Sequence, residues 1–281
     1  MTATVDILVT IPNEQAKRYY NGLSGQDGFK LQIAHSMDDA LDILGDKDNH
    51  VDVFVIDQSL GDTFFFLNHL RRKYPRLLVV LVDEEADFGM PGQADEFTNE
   101  PFKDDDLAKR IIKLMSERRM ETLRSDSLPA VRNINNNIKK AVGVLGKIEA
   151  SVTSCLDQGY DYVAYYGIES QEPLKLTLKA QAGPKTIQSI APKDATPDDL
   201  MGWVAQNGQS RIAGPEDKPN HILVARGRLG AISCVPVSFS NRSFGVIAAC
   251  KDRPGSITQE AVLMLELIAA QLATALTKEM K

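Results

Sequence analysis

The chain is poor in the residues that carry covalent and metal chemistry: its 281 residues include three cysteines, four histidines and one tryptophan. Cys155, Cys234 and Cys250 stand apart, form no metal-type cluster and leave one thiol over after any pairing. That argues against a disulfide framework and a cysteine metal site, and leaves reduced, buried thiols as the expectation. No apolar run approaches the roughly 20 residues that cross a bilayer. No basic segment leading into an apolar stretch opens the chain, so it reads as cytoplasmic and without membrane contact. An excess of positive charge is missing too. Against 32 basic side chains stand 38 acidic ones, a net charge of −6, and such a balance offers nucleic acid little to bind.

The charge that is present is unevenly placed. Residues 1–106 hold 21 acidic and 9 basic side chains, residues 107–150 hold 4 and 10, and residues 151–281 hold 13 of each. The partition marks an acidic module, a basic connector and a neutral module, and the length suits two cores. We read residues 1–124 as the first domain, 125–150 as a helical linker and 151–281 as the second domain.

In the acidic module short strand and helix patterns alternate, as in a doubly wound parallel sheet of five strands. Strands are expected at Val5–Val9, Phe29–Ala34, Val51–Ile56 and Leu77–Val82, with a short fifth near Ala94–Phe97. The run Val51–Ile56 is almost wholly apolar, which suits a central strand covered on both faces. Ser36 followed by Asp39 opens a helix as a capping pair. The sequence Val51-Asp-Val-Phe-Val-Ile-Asp57-Gln-Ser-Leu-Gly-Asp62, with Ala94-Asp-Glu-Phe97 running into Pro101-Phe102, resembles the receiver domain of bacterial response regulators over about 120 residues.

That resemblance makes Asp57 the phosphoacceptor candidate. It also implies an acidic pair after the first strand to hold Mg²⁺, a hydroxyl after the fourth and a lysine before Pro-Phe. Here the acidic pair falls on Ile11 and Pro12, although a shifted register could recruit Glu14; the hydroxyl position falls on Val82 or Asp83, and the lysine position on Glu100. Mg²⁺ needs oxygen ligands. Exchanging a lysine for a glutamate beside an incoming phosphoryl group turns attraction into repulsion, each worth about 4 kcal/mol at 4 Å and an effective dielectric of 20. Without cation and counter-charge, phosphoryl transfer loses its main stabilisation, and Asp57 reads as a relic.

In the connector a three-four apolar spacing runs through Val131, Ile134, Ile138, Ala141, Leu145, Ile148, Val152 and Cys155, the pattern of a coiled-coil seam. Pro129 precedes it, which places a break between helices near Ser125–Leu128. These residues either meet a second copy or pack on their own C-terminal module. Val262, Leu265, Ala269, Leu272 and Leu276 repeat the spacing in the last helix.

Residues 160–252 alternate strands with a capped helix, in which Thr196 caps, Pro197 takes the first position and Gly208 stops. Gly202-Trp-Val-Ala-Gln-Asn-Gly208, Val235-Pro-Val237, Phe244-Gly-Val-Ile-Ala and Gln271-Leu-Ala resemble a GAF domain over roughly residues 145–278. The resemblance implies an α+β domain whose antiparallel sheet carries helices on one face and a ligand pocket, sometimes empty, on the other. It also implies dimerisation through the first and last helices. Pocket candidates are Trp203, Arg211, Arg226 and Arg228, with His221 nearby. No ligand, cofactor or metal can be named.

The reading is a non-catalytic, two-component-type signalling protein: a homodimer acting through a partner such as a histidine kinase, with no catalytic residue. A response regulator phosphorylated on Asp57 and a cysteine-dependent redox enzyme are the alternatives.

Overall fold

The computed structural model describes residues 4–46, 49–86, 93–125, 129–217, 221–239 and 242–279. The expected helix break near Ser125–Leu128 and part of the Ser240–Ser243 hairpin loop fall outside them. The chain divides into two compact units, residues 1–71 with 77–121 and residues 72–76 with 122–281.

The first unit runs β1 (Val5–Thr10), α1 (Ala16–Leu23), β2 (Phe29–Ala34), α2 (Met37–Gly45), β3 (Val53–Asp57), α3 (Thr63–Lys73), β4 (Leu78–Val82), β5 (Glu96–Thr98) and α4 (Asp106–Ser125). Its strands form one parallel sheet in the order β2-β1-β3-β4-β5, a doubly wound order that puts the sheet's switch point between β1 and β3. Alternate residues serve opposite faces. Ile7, Val9, Val53, Val55, Val80 and Val82 pack with Tyr19, Leu23, Leu107 and Ile111 from α1 and α4. On the other face Leu8, Phe54, Ile56 and Val79 are equally buried, and Phe54 lies 6.0 Å from Phe66 of α3. The capping pair is present: the Asp39 N–H donates to Ser36 Oγ at 3.1 Å.

The second unit runs α5 (Pro129–Lys140), α6 (Gly143–Leu156), β6 (Tyr162–Gln171), β7 (Leu174–Ala182), α7 (Lys185–Gln188), β8 (Asp194–Ala195), α8 (Leu200–Asn207), β9 (Arg211–Ala213), α9 (Ile222–Ala225), β10 (Ala231–Phe239), β11 (Arg242–Lys251) and α10 (Gln259–Glu279). Six antiparallel strands form a sheet in the order β8-β7-β6-β11-β10-β9. Helix α8 starts three residues later than its sequence signals. The Asp199 carboxylate accepts the Thr196 N–H at 2.8 Å, and Gly208 closes the helix at φ 65°, a left-handed position that suits glycine.

Three sequence expectations need correction here. The 125–150 connector is not a separate linker, because Ile134, Ile138 and Ile148 belong to the second unit's core. Its heptad run is not one helix either: α5 and α6 break at Ala141–Val142, and Gly143 takes φ 70°. Finally, the supposed dimer seam faces inward. Val131, Ile134, Ile138, Ile148, Val152, Val262, Leu265, Leu272 and Leu276 are all buried within the one chain, while Leu145 is exposed, at 54%, and Ala141 is half-buried. The physical reason is that a three-four spacing marks an apolar helix face without saying what covers it, and here the chain's own helices and sheet do.

A further correction concerns α10. Its 21 residues, with a mean hydropathy of 1.5 over 18 of them, are long and apolar enough to cross a membrane. Val262, Leu265, Ile268, Leu272 and Leu276 instead lie buried in the protein core, where each full burial contributes about 1.5–3 kcal/mol.

Candidate functional site

Asp57 ends β3, flanked in the sheet by β1 and β4. Parallel register sets Val82 directly beside it; of the two positions expected to offer a hydroxyl, Val82 presents a buried isopropyl group and Asp83 a half-buried carboxylate. Ile11 is buried in the same core, and Glu14 is exposed. The Asp57 carboxylate, 5% exposed, is already satisfied by its own chain. Tyr19 donates its hydroxyl to Oδ2 at 2.6 Å, while Ser59 donates its backbone N–H at 2.9 Å and its hydroxyl at 2.6 Å to Oδ1. Burial, reinforced by the bond to Asp57, pushes the Tyr19 phenol far above its ordinary pKa, so the phenol remains a donor. The ring of Tyr19 is held edge-on by Phe102 at 4.9 Å. Glu100 at the expected lysine position is paired with Lys103 at 2.9 Å.

In the second unit the two faces of the sheet differ. Val163, Tyr165, Val235, Val237, Ile247 and Ala249 face α5, α6 and α10. The alternate residues Tyr162, Ala164, Tyr166, Cys234, Ala248 and Cys250 take the opposite face, where the ligand pocket was expected, and they are fully buried. Tyr162 donates to Gln181 Oε1 at 2.7 Å and Tyr166 to the Pro192 carbonyl at 2.9 Å. These two large rings occupy that face of the sheet.

The four pocket candidates do not converge. Trp203 is 4% exposed, and the guanidinium carbon of Arg211 stands 5.0 Å from its ring centre, a cation–π contact. Arg226 and Arg228 are exposed. His221 caps α9, its Nδ1 accepting the Leu223 N–H at 3.2 Å, and burial lowers its pKa to about 4. All three cysteines are free and buried. Burial pushes each thiol well above its ordinary pKa, helped at Cys250 by the neighbouring Cys234.

A cavity of about 450 Å³ lies instead on the helix side of the sheet, where α6 begins and α10 ends. Val144, Leu145, Ile148 and Leu276 form its helical wall; Tyr165, Gly167, Lys179, Arg242 and Phe244 come from the strands. No sequence pattern described above points to this cavity, and none marks Tyr19 as a partner of Asp57.

Comparison with known proteins assigns part of this chain. A family model described as GAF domain matches residues 148–277, and that segment is a GAF domain. No curated protein matches the chain. Among solved structures, the GAF domain of an Acinetobacter phosphoenolpyruvate-protein phosphotransferase is similar at 20% identity and TM-score 0.44, over 53% of this chain and 91% of that one. A free methionine-R-sulfoxide reductase from Neisseria meningitidis is similar at 17% identity and TM-score 0.46, over 54% and 88%. Residues 122 to 287 of a methyl-accepting chemotaxis protein are similar at 19% identity and TM-score 0.44, over 52% and 96%.

Proposed function

We propose, from the premise that residues 148–277 form a GAF domain, that the chain is a non-catalytic signal-transduction protein. Its first unit is a receiver-like docking domain that has ceased to accept phosphate, its GAF unit reads a small ligand, and its output is contact with a signalling protein such as a histidine kinase. The observation that carries the non-catalytic part is the closed carboxylate of Asp57, whose two oxygens are taken by Tyr19 and Ser59. In-line attack on a phosphodonor would need those bonds broken and a cation supplied. Ile11 and Val82, both buried apolar residues, supply no oxygen ligand or hydroxyl at the positions that the receiver pattern reserves for them. A fold of this kind can still act by surface docking.

Thiol chemistry is disfavoured by the same kind of reasoning. The thiolate is the nucleophile, and burial holds Cys155, Cys234 and Cys250 in the protonated form.

Incubation with Mg²⁺ and acetyl phosphate, followed by intact-mass measurement, tests the reading. Neither the wild type nor Tyr19→Phe, which frees one carboxylate oxygen, is expected to gain a phosphoryl group. Stoichiometric labelling of Asp57 in the wild type would restore the phosphorylated response regulator.

A further inference from the structure

The cavity between α6, α10 and the sheet has a composition that specifies a ligand class. At about 450 Å³ it lies within the roughly 300–1,000 Å³ of small-molecule sites. One wall is aliphatic, from Val144, Leu145, Ile148 and Leu276, and Ile168 and Phe244 extend it from the strands. Two cations stand on the strand side, Lys179 and Arg242, and among the described residues that line the cavity there is no carboxylate. Glu169, within electrostatic reach of Lys179, is engaged by Thr177 and Lys175. The Arg242 guanidinium carbon sits 5.1 Å from the Phe244 ring centre, which steadies it at the apolar edge. The stem of Lys179 crosses Gly167 so closely that an added Cβ there would lie 3.1 Å from Lys179 Cγ.

One lining group points to a polar ligand atom. The hydroxyl of Ser243 is buried and has no hydrogen-bond partner among the described residues, a state that costs about 1–3 kcal/mol unless something arrives to satisfy it. An acid headgroup between Arg242 and Lys179 would offer an acceptor to that hydroxyl.

We infer that this cavity binds a medium-chain carboxylate, its chain along α6 and α10 and its carboxylate at Lys179, Arg242 and Ser243. Charge complementarity selects an anion, and the aliphatic wall selects a flexible apolar tail. A second copy of the chain is a poor fit. The exposed apolar side chains at the cavity mouth are Val144 and Leu145, with Val142 beside them, and the two cations Lys179 and Arg242 that line the same cavity would face their own copies' like charge across a two-fold contact. The ligand would touch α6, α10 and β6 together and so stabilise their packing by mass action. This gives the sensory unit an input, and its physiological sense rests on the signalling reading; the binding itself does not.

Titration of the full chain with sodium dodecanoate below its micelle concentration, followed by calorimetry and thermal unfolding, decides the matter. One saturable site and a rise in Tm are expected. The double variant Lys179→Glu with Arg242→Glu, both on exposed side chains, should weaken binding at least tenfold, as should Leu145→Glu at the mouth, while the circular dichroism stays unchanged. Dodecanol should bind at least tenfold more weakly than dodecanoate. Absence of a saturable site, equal binding of the alcohol, or variants that bind like the wild type would each overturn the proposal. So would a wild-type dimer that Leu145→Glu converts to monomer, because a second copy would then occupy the groove. Failure here leaves the Asp57 experiment untouched, so the two readings fall separately.

Discussion

His221 shows how one side chain can combine a structural bond with a pH response. Its Nδ1 must stay unprotonated to accept the Leu223 N–H, and burial brings its pKa down to about 4, against about 6.5 for an unfolded histidine. Between pH 6.5 and 4 the unfolded chain therefore binds more protons than the folded one, so stability falls as pH falls through that window. The full shift is worth about 3.5 kcal/mol at about 1.4 kcal/mol per unit. Urea unfolding at pH 7 and 5 should show a loss in the wild type that His221→Asn, which keeps a capping acceptor, largely removes. Equal losses in both proteins would place the acid sensitivity elsewhere. Asp57 illustrates the limit of a residue read in sequence. Its position at a strand end was legible from the apolar run before it, whereas the Tyr19 hydroxyl that closes it comes from 38 residues away, and no local pattern announces such a partner.

At the scale of elements, two glycines separate close approach from backbone conformation. Gly202 in α8 has ordinary helical geometry, but a Cβ there would stand 1.9 Å from the Thr196 carbonyl oxygen and 2.8 Å from Pro197 Cα. Neither is a flexible side chain that can give way. Gly143 has open space around its missing Cβ and a φ of 70°, so only the left-handed backbone resists a side chain, at about 1–2 kcal/mol. Gly202→Ala is accordingly expected to destabilise more than Gly143→Ala in parallel denaturant titrations; the reverse order would mean that α8 shifts freely on the Thr196 turn. The α5–α6 break has the same lesson for the heptad. Its spacing was real, and its positions are buried apart from the exposed Leu145 and the half-buried Ala141, yet the helix it implied is two helices around a left-handed glycine. Lys147 holds that corner, donating to the Ala141 carbonyl at 2.8 Å and pairing with Glu279 of α10 at 3.2 Å.

For the whole molecule, the inward seam removes the heptad argument for a homodimer and leaves the GAF resemblance as its remaining basis. Light scattering of the full chain at tens of micromolar should return the 30.9 kDa of a single copy. A mass twice that would restore the homodimer. The charge partition is unaffected by this outcome. The acidic first module and the basic segment that follows it remain features of the chain, and they bear on which partner surfaces it attracts at low salt.

The order of strands and helices, the central position of β3 and the GAF segment were all legible in the sequence alone. Each rests on local periodicity and short motifs. Tertiary structure decided what covers each apolar stripe, which hydroxyl fills the Asp57 carboxylate, and which face of the GAF sheet keeps a cavity. Those outcomes depend on residues far apart in the chain: Tyr162 and Tyr166 fill one face, while Lys179, Arg242 and Leu145 meet at the other. Spacing along a strand or helix records which side is apolar; only the closed fold brings in the atoms that lie against it.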